Sequence, residues 1–440
     1  MWRYEVRPVG DRFDELAIEG DFPPGSTNFG VDGDVAAYVR DVAYADGPAW
    51  KPLAPDGDGF SPPCGPGGCR LRYRFELHRA ALAVDDVETA LASGDVTVAP
   101  PGTWLLRPDP PAAPARFRFH VTTAPGAAFV AGTRPAPDGA PDTYEADVRA
   151  LEASSFAVFG PFHRATLRGG GALVEVAIAP RGVALADRDI ERWVQTAVDA
   201  IAAYFGKFPA PRALVVFTEG GSGGTRGETL GDGGPGVLIR VGGRVTAATI
   251  GDDWVVTHEL LHVSMPALSR GHAWLDEGIA SYVEPIVRVR AGLITPEKLW
   301  GDLVDGMPQG LPEPGDEGLE RTHTWGRTYW GGALFCLMAD VTLRERTANA
   351  RSLDDVLRGI AATGAHVETH WPIERWIDEA RRATGTDVVG ELYRDMALAP
   401  GTVDLPGLWA RLGVRTERRP VTFDDGAPFA SIRRAISNGR

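Results

Sequence analysis

Residues 252–285 read DDWVVTHELLHVSMPALSRGHAWLDEGIASYVEP. His258 and His262 stand four apart, Glu259 follows the first, and Glu277 lies in a Leu-Asp-Glu-Gly stretch further on. On a helix, four steps of ~100° bring both imidazoles to one face, one turn apart, so both can grip one ion. Glu259 is rotated away from them and can face a water instead of the metal. A catalytic zinc takes three protein ligands and keeps a fourth position open. Glu277 is the natural third ligand, because helices joined by a short loop pack antiparallel and would return it to the same place. Asp252 and Asp253 sit before the apolar helix start, where its dipole is positive.

The chemistry implied is hydrolysis with one zinc ion per chain. Zinc acidifies a water and polarises a carbonyl. Glu259 would take the proton and pass it to the leaving amine. The oxyanion that forms needs a further donor from another element.

Working outward, the sequence downstream of this stretch is mainly helical, with predicted helices over 252–265, 273–291, 327–346, 352–362, 372–384 and 387–396. Just upstream, DRDIERWVQTAVDAIAAYFGKF carries Ile190, Trp193, Val194, Ala197, Ile201 and Tyr204 at helical spacing. The strand RALVVFTE, the Gly-rich loop GGSGGTRGETLGDGGPG and the strand VLIRVGG come next. That loop lacks the Gly-Lys-Ser/Thr ending of a phosphate loop, so it is expected to be a flexible hairpin loop.

Residues 1 to about 180 alternate in short runs such as RYEVRPV, LRYRFEL, ARFRFHVTT and ALVEVAIAP, split by Pro, Gly and Asp clusters. They predict a β-sandwich-like domain. The fold class expected is therefore α+β and multidomain. An N-terminal β domain occupies 1–182, a mainly helical catalytic domain 183–414, and a charged, irregular tail 415–440.

The 440 residues carry 59 acidic and 45 basic side chains, a net charge of -14. That excludes a basic nucleic-acid face and attraction to an anionic membrane. No apolar run reaches the ~20 residues needed to span a bilayer. Cys64 and Cys69, in the tight loop SPPCGPGGC, predict a disulfide in preference to a metal knuckle. With that disulfide and a removed leader the protein would be extracytoplasmic, and otherwise cytoplasmic. Cys336 reads as a buried small hydrophobe.

HELLH followed by WLDEGIASYVE resembles the paired motifs of the gluzincin metallopeptidases. It is similar to the aminopeptidase N and glycyl aminopeptidase families, closest to the latter. The resemblance covers about 187–414. It implies a thermolysin-like catalytic domain, His258, His262 and Glu277 as zinc ligands, Glu259 as general base and acid, and a peptide or protein substrate.

RTYWGGALFCLMADVTLRERTANARSLDDVLR resembles the Tyr-x-Lys-Gly-Ala-Leu helix of those families and places Tyr329 as the oxyanion donor. His323 competes for that role. Three features depart from the pattern. Fourteen residues separate His262 from Glu277, fewer than in aminopeptidase N relatives. Gly331 replaces the lysine. The Gly-x-Met-Glu-Asn motif, whose glutamate holds a free amine, is missing, leaving Glu219 or Glu228 of the 219–235 loop as weak substitutes beside an edge strand.

Glu284, two turns beyond Glu277 on the same face, is expected to support a ligand histidine or to be solvated. Pro285 is expected to kink that helix. Arg288 and Arg290 are expected at a solvated helix end, and Trp325 and Trp330 in core packing. His272 is expected at the rim, His78, His120 and His163 on strands, and His366 and His370 at the surface. The competing reading for the whole protein is a non-catalytic peptide-binding or scaffolding protein that keeps the fold. Retention of Glu259 argues against it, since a scaffold needs no base.

Overall fold

The computed structural model describes residues 1–57, 59–108, 115–123, 126–180 and 185–439. It is a mixed α+β fold that divides into two compact units. The first comprises 1–167, 173–191 and 212–247, and the second 168–172, 192–211 and 248–440. These boundaries fall elsewhere than the expected 1–182 and 183–414.

Among the described residues, the first unit holds two sheets that share a core, and most of a five-stranded sheet in the order His163–Gly169, Ala172–Ile178, Arg212–Glu219, Gly236–Val241, Arg226–Leu230. A seven-stranded sheet runs in the order Thr143–Asp147, Arg116–Val121, Trp2–Pro8, Leu16–Phe22, Cys69–Phe75, Val39–Asp46, Ala49–Pro52. A four-stranded sheet runs Ala128–Ala131, Ala157–Gly160, Val96–Val98, Leu91–Ser93. Alternation does the sorting: Trp2, Tyr4 and Val6 are buried while Arg3, Glu5 and Arg7 are exposed. Inward residues of both sheets, including Phe117, Phe119, Phe129 and Phe159, share one core, and each such residue contributes about 1.5–3 kcal/mol by leaving water.

Three expectations change here. The run after Phe75 turns into a helix, α1 (Leu77–Val84), so His78 is helical; its Nδ1 meets Thr97 Oγ1 at 3.0 Å. The strands Arg212–Glu219 and Gly236–Val241 pair in parallel, not as a hairpin. The Gly-rich loop itself supplies a strand, Arg226–Leu230, antiparallel to Gly236–Val241 at the sheet edge. A loop with that many glycines turns cheaply, which leaves room for a polar edge strand within it. Cys64 and Cys69 are joined as a disulfide, with Cα atoms 4.9 Å apart.

The second unit is built of helices. Those of eight or more residues are α2 (Asp187–Phe205, mostly in this unit), α3 (Val255–His262), α4 (Ala273–Arg290), α5 (Pro296–Gly306), α6 (Gly332–Arg346), α7 (Leu353–Ala362), α8 (Ile373–Thr384), α9 (Leu405–Leu412) and α10 (Ala430–Asn438). α4 continues through Pro285 to Arg290. α5 was not anticipated, although Thr295 accepts from Lys298 N–H as an N-cap and Pro296 opens the helix.

Residues 415–439 are docked rather than loose. Arg433 on α10 is buried and donates to the carbonyls of Leu412 and Gly413, and Trp300 Nε1 donates to Ser437 Oγ at 2.9 Å. Arg290 reaches the Ile436 carbonyl and Asp354. Arg288, also expected in solvent, is buried against Glu284.

Candidate metal centre

α3 is buried along its whole length, so its apolar residues anchor it in the core. The Asp253 carboxylate accepts from Val255 N–H at 2.9 Å and satisfies one donor of the first turn. His258 and His262 then project together, ring centroids 4.9 Å apart. Glu277 enters from the first turns of α4. Its Oε2 lies 3.2 Å from His258 Nε2 and 3.5 Å from His262 Nε2. The three candidate ligand atoms lie within 4.8 Å of one another.

A tetrahedral zinc with N and O ligands at ~2.0–2.2 Å separates its donors by roughly 3.3–3.6 Å. The two separations from the carboxylate, 3.2 and 3.5 Å, therefore suit that ion. The donor set, two imidazoles and one carboxylate, suits it chemically as well.

Burial disfavours charge on His262, but Asp276 and Glu277 beside it outweigh that and raise its pKa well above the usual imidazole value. Burial likewise opposes the Glu277 carboxylate, yet His262 and His258 hold it well below the ordinary range. A cluster this dependent on opposite charge is a favourable setting for a cation.

Asp276 escaped the sequence reading. Its Oδ2 stands 3.2 Å from His262 Nδ1, the outer nitrogen. It precedes Glu277 directly, so its position was visible but its partner was not. Glu284 does not take that role by any bond to a ligand histidine. It pairs with Arg288 at 2.9 Å, and Arg288 also donates to the Gly251 carbonyl. The outer Nδ1 atoms of His258 and His262 are both buried without a hydrogen bond of good geometry among the described residues, so the Asp276 approach to His262 is an ion-pair distance.

Tyr329 sits in a π-helical turn, Arg327–Gly331, that leads into α6. Single π turns widen a helix locally and often occur at functional sites. Its ring lies 6.4 Å from that of His258 at 21°. Burial, and then the charge of the Glu277 carboxylate, push its phenol above the ordinary value; the Glu259 charge adds to this. Glu259 is 8% exposed. Glycines bring the two helices together: a Cβ on Gly278 would fall 2.4 Å from Gly332 Cα. A side chain at Gly331, where the resembled families carry lysine, would strike Leu319 Cδ2 at 2.7 Å.

The other candidates scatter. His323 is exposed on the segment before the π turn. Glu219 ends the strand Arg212–Glu219 and is exposed, and Glu228 lies on the edge strand Arg226–Leu230; both belong to the first unit. His272 Nδ1 meets Glu320 Oε1 at 2.8 Å, and Trp274 donates to the same carboxylate. His120 and His163 are on strands, paired with Glu5 and Glu191. His366, expected at the surface, is buried, whereas His370 is exposed.

No protein-family model matches the protein, and no curated protein matches it significantly. Its fold is similar to that of an aminopeptidase N family protein. That protein, from Idiomarina loihiensis, shares 13% identity at a TM-score of 0.70, over 94% of this chain and 78% of its own. A second similar structure is an M1 zinc metallopeptidase from Deinococcus radiodurans, a glutamate-to-alanine mutant bound to a Tyr-Ser-Ala substrate. It shares 14% identity at a TM-score of 0.54, over 91% of this chain and 94% of its own. At such identities the likeness is one of fold. Among the described residues, no helix is long and apolar enough to cross a membrane.

Proposed function

We propose that the protein is a zinc-dependent, aminopeptidase-like peptidase with a thermolysin-like catalytic region. The observation that carries this reading is the convergence of His258, His262 and Glu277, whose ligand atoms lie within 4.8 Å of one another, beside Tyr329. His258, His262 and Glu277 would hold one zinc ion, which supplies Lewis acidity when bound.

The protein's own groups do the rest. Glu259 removes a proton from the attacking water and delivers it to the amine that leaves. Tyr329 keeps its proton near neutral pH, since its pKa is raised, and donates a hydrogen bond to the oxygen that gains charge. Asp276 orients His262 and keeps its inner nitrogen available.

The test is metal analysis of purified protein together with peptide cleavage. Stoichiometric zinc and loss of cleavage in Glu259→Gln are expected. Absence of zinc, with Glu259→Gln as active as the parent, overturns the assignment. Peptides with free and blocked N-termini separate aminopeptidase from endopeptidase action.

A further inference from the structure

A cavity of about 410 Å³ opens in the helical unit beside His258 and Tyr329, within the ~300–1,000 Å³ typical of small-ligand sites. We propose that it is the specificity subsite of the peptidase, receiving an aromatic side chain from a residue that flanks the bond cut. This rests on the function proposed above.

Its walls are unusually rich in indole. Trp254, Trp325 and Trp330 all line it, with Leu303 and Pro285. Trp254 meets His258 edge-on at 5.1 Å, and Trp325 stacks on Tyr329 at 5.5 Å. Ring contacts thus link two of the lining tryptophans to His258 and Tyr329. Trp254 and Trp325 are 48% and 61% exposed, although they are among the largest apolar side chains of the protein. Trp330 is held by backbone: a Cβ at Gly306 or Gly310 would fall 2.0 or 2.3 Å from it. The cavity wall is therefore preformed on that side.

Charge decides between an aromatic and a basic occupant. Three carboxylates line the cavity, and each already faces a cation: Glu284 with Arg288 at 2.9 Å, Asp302 with Lys298 at 2.6 Å, and Asp305 with Arg419. A lysine or arginine side chain would find no unpaired carboxylate there. An acidic side chain would find Lys298 and Arg419 already committed to Asp302 and Asp305. A ring buries apolar surface and gains roughly 2–12-fold more from each well-placed aromatic contact.

Zinc-loaded Glu259→Gln protein, titrated calorimetrically with tripeptides, tests the subsite without turnover. Alanine tripeptides carrying Phe, Lys or Ala at the first or second position are the probes. At one of these positions Phe is expected to bind at least tenfold more tightly than Ala or Lys. Trp254→Ala and Trp325→Ala, added singly, are each expected to cut that Phe/Ala ratio at least threefold; both rings lie at the surface, so the fold is not at stake. Equal affinities, a preference for Lys, or a ratio untouched by both tryptophan changes overturns the subsite. Wild-type protein given the same peptides separates the two readings. Aromatic-selective binding without any cleavage overturns the hydrolase alone, and cleavage without aromatic selectivity overturns the subsite alone.

Discussion

The Asp276 carboxylate stands 3.2 Å from Nδ1 of His262. The next residue, Glu277, faces the other nitrogen of the same ring at 3.5 Å. One helix turn therefore supplies both a candidate ligand and a carboxylate placed against the outer nitrogen of His262. Removing such outer partners typically costs about 10–100-fold in metal affinity. Asp276→Ala is expected to weaken zinc binding by that factor in a chelator competition. Glu277→Ala, which deletes a ligand, should weaken it by at least ~100-fold. Equal affinity in Asp276→Ala and the parent would show that the carboxylate is only a surface group.

Tyr329 offers a separable test. Loss of one oxyanion donor costs about 10²–10³ in kcat. Tyr329→Phe keeps the ring beside His258 and removes only the hydroxyl. The expected outcome is zinc retained at one per chain, KM little changed and kcat reduced by that factor. If His323→Ala produces the larger kcat loss, the donor role passes to His323.

The π turn carrying Tyr329 is pinned by a buried ion pair. Arg327 Nε lies 2.8 Å from Asp316 Oδ2, with side chains 4% and 2% exposed, and Arg327 also donates to the Gly310 carbonyl. Breaking a buried pair by removing one partner costs about 3–5 kcal/mol, because the other charge is left uncompensated. Asp316→Asn should lower stability by that amount in chemical denaturation. An unchanged midpoint would mean that the pair does not hold the turn.

Glu284 predicts a pH effect. Burial raises its pKa to about 7, against the opposing pull of Arg288; Asp302 raises it further and Lys298 lowers it. The folded state therefore holds a proton between about pH 4.5 and 7 that the unfolded state has lost. Stability from this group is present below that window and declines as pH rises through it, by about 3 kcal/mol in total. Glu284→Gln should flatten the slope of unfolding free energy against pH between 5 and 7. The slope is the diagnostic, since the substitution also leaves Arg288 without its charge partner. A slope equal to the parent's would refute the assignment.

Much of the local architecture was legible. The i, i+4 histidines of α3, the periodicity of α2 and the alternation of Trp2–Pro8 and Cys69–Phe75 are written in consecutive residues. Where reading failed, the deciding partner was distant in sequence. The strands 212–219 and 236–241 looked like a hairpin, yet pair in parallel because a third strand takes the antiparallel place beside the second. Arg290 looked solvated, yet Asp354 and the Ile436 carbonyl enclose it. His366 looked like a surface residue and is buried.

The candidate site divides along the same line. The sequence determined which side chains share a helix face, because helical and strand periodicity depend on nearest neighbours and short-range hydrogen bonds. Only tertiary structure brought Glu277 Oε2 to both imidazoles and laid Tyr329 alongside them. That placement needs α4 and α6 to touch through Gly278 and Gly332. Such a contact comes from close packing across elements far apart in the sequence, which no local pattern encodes.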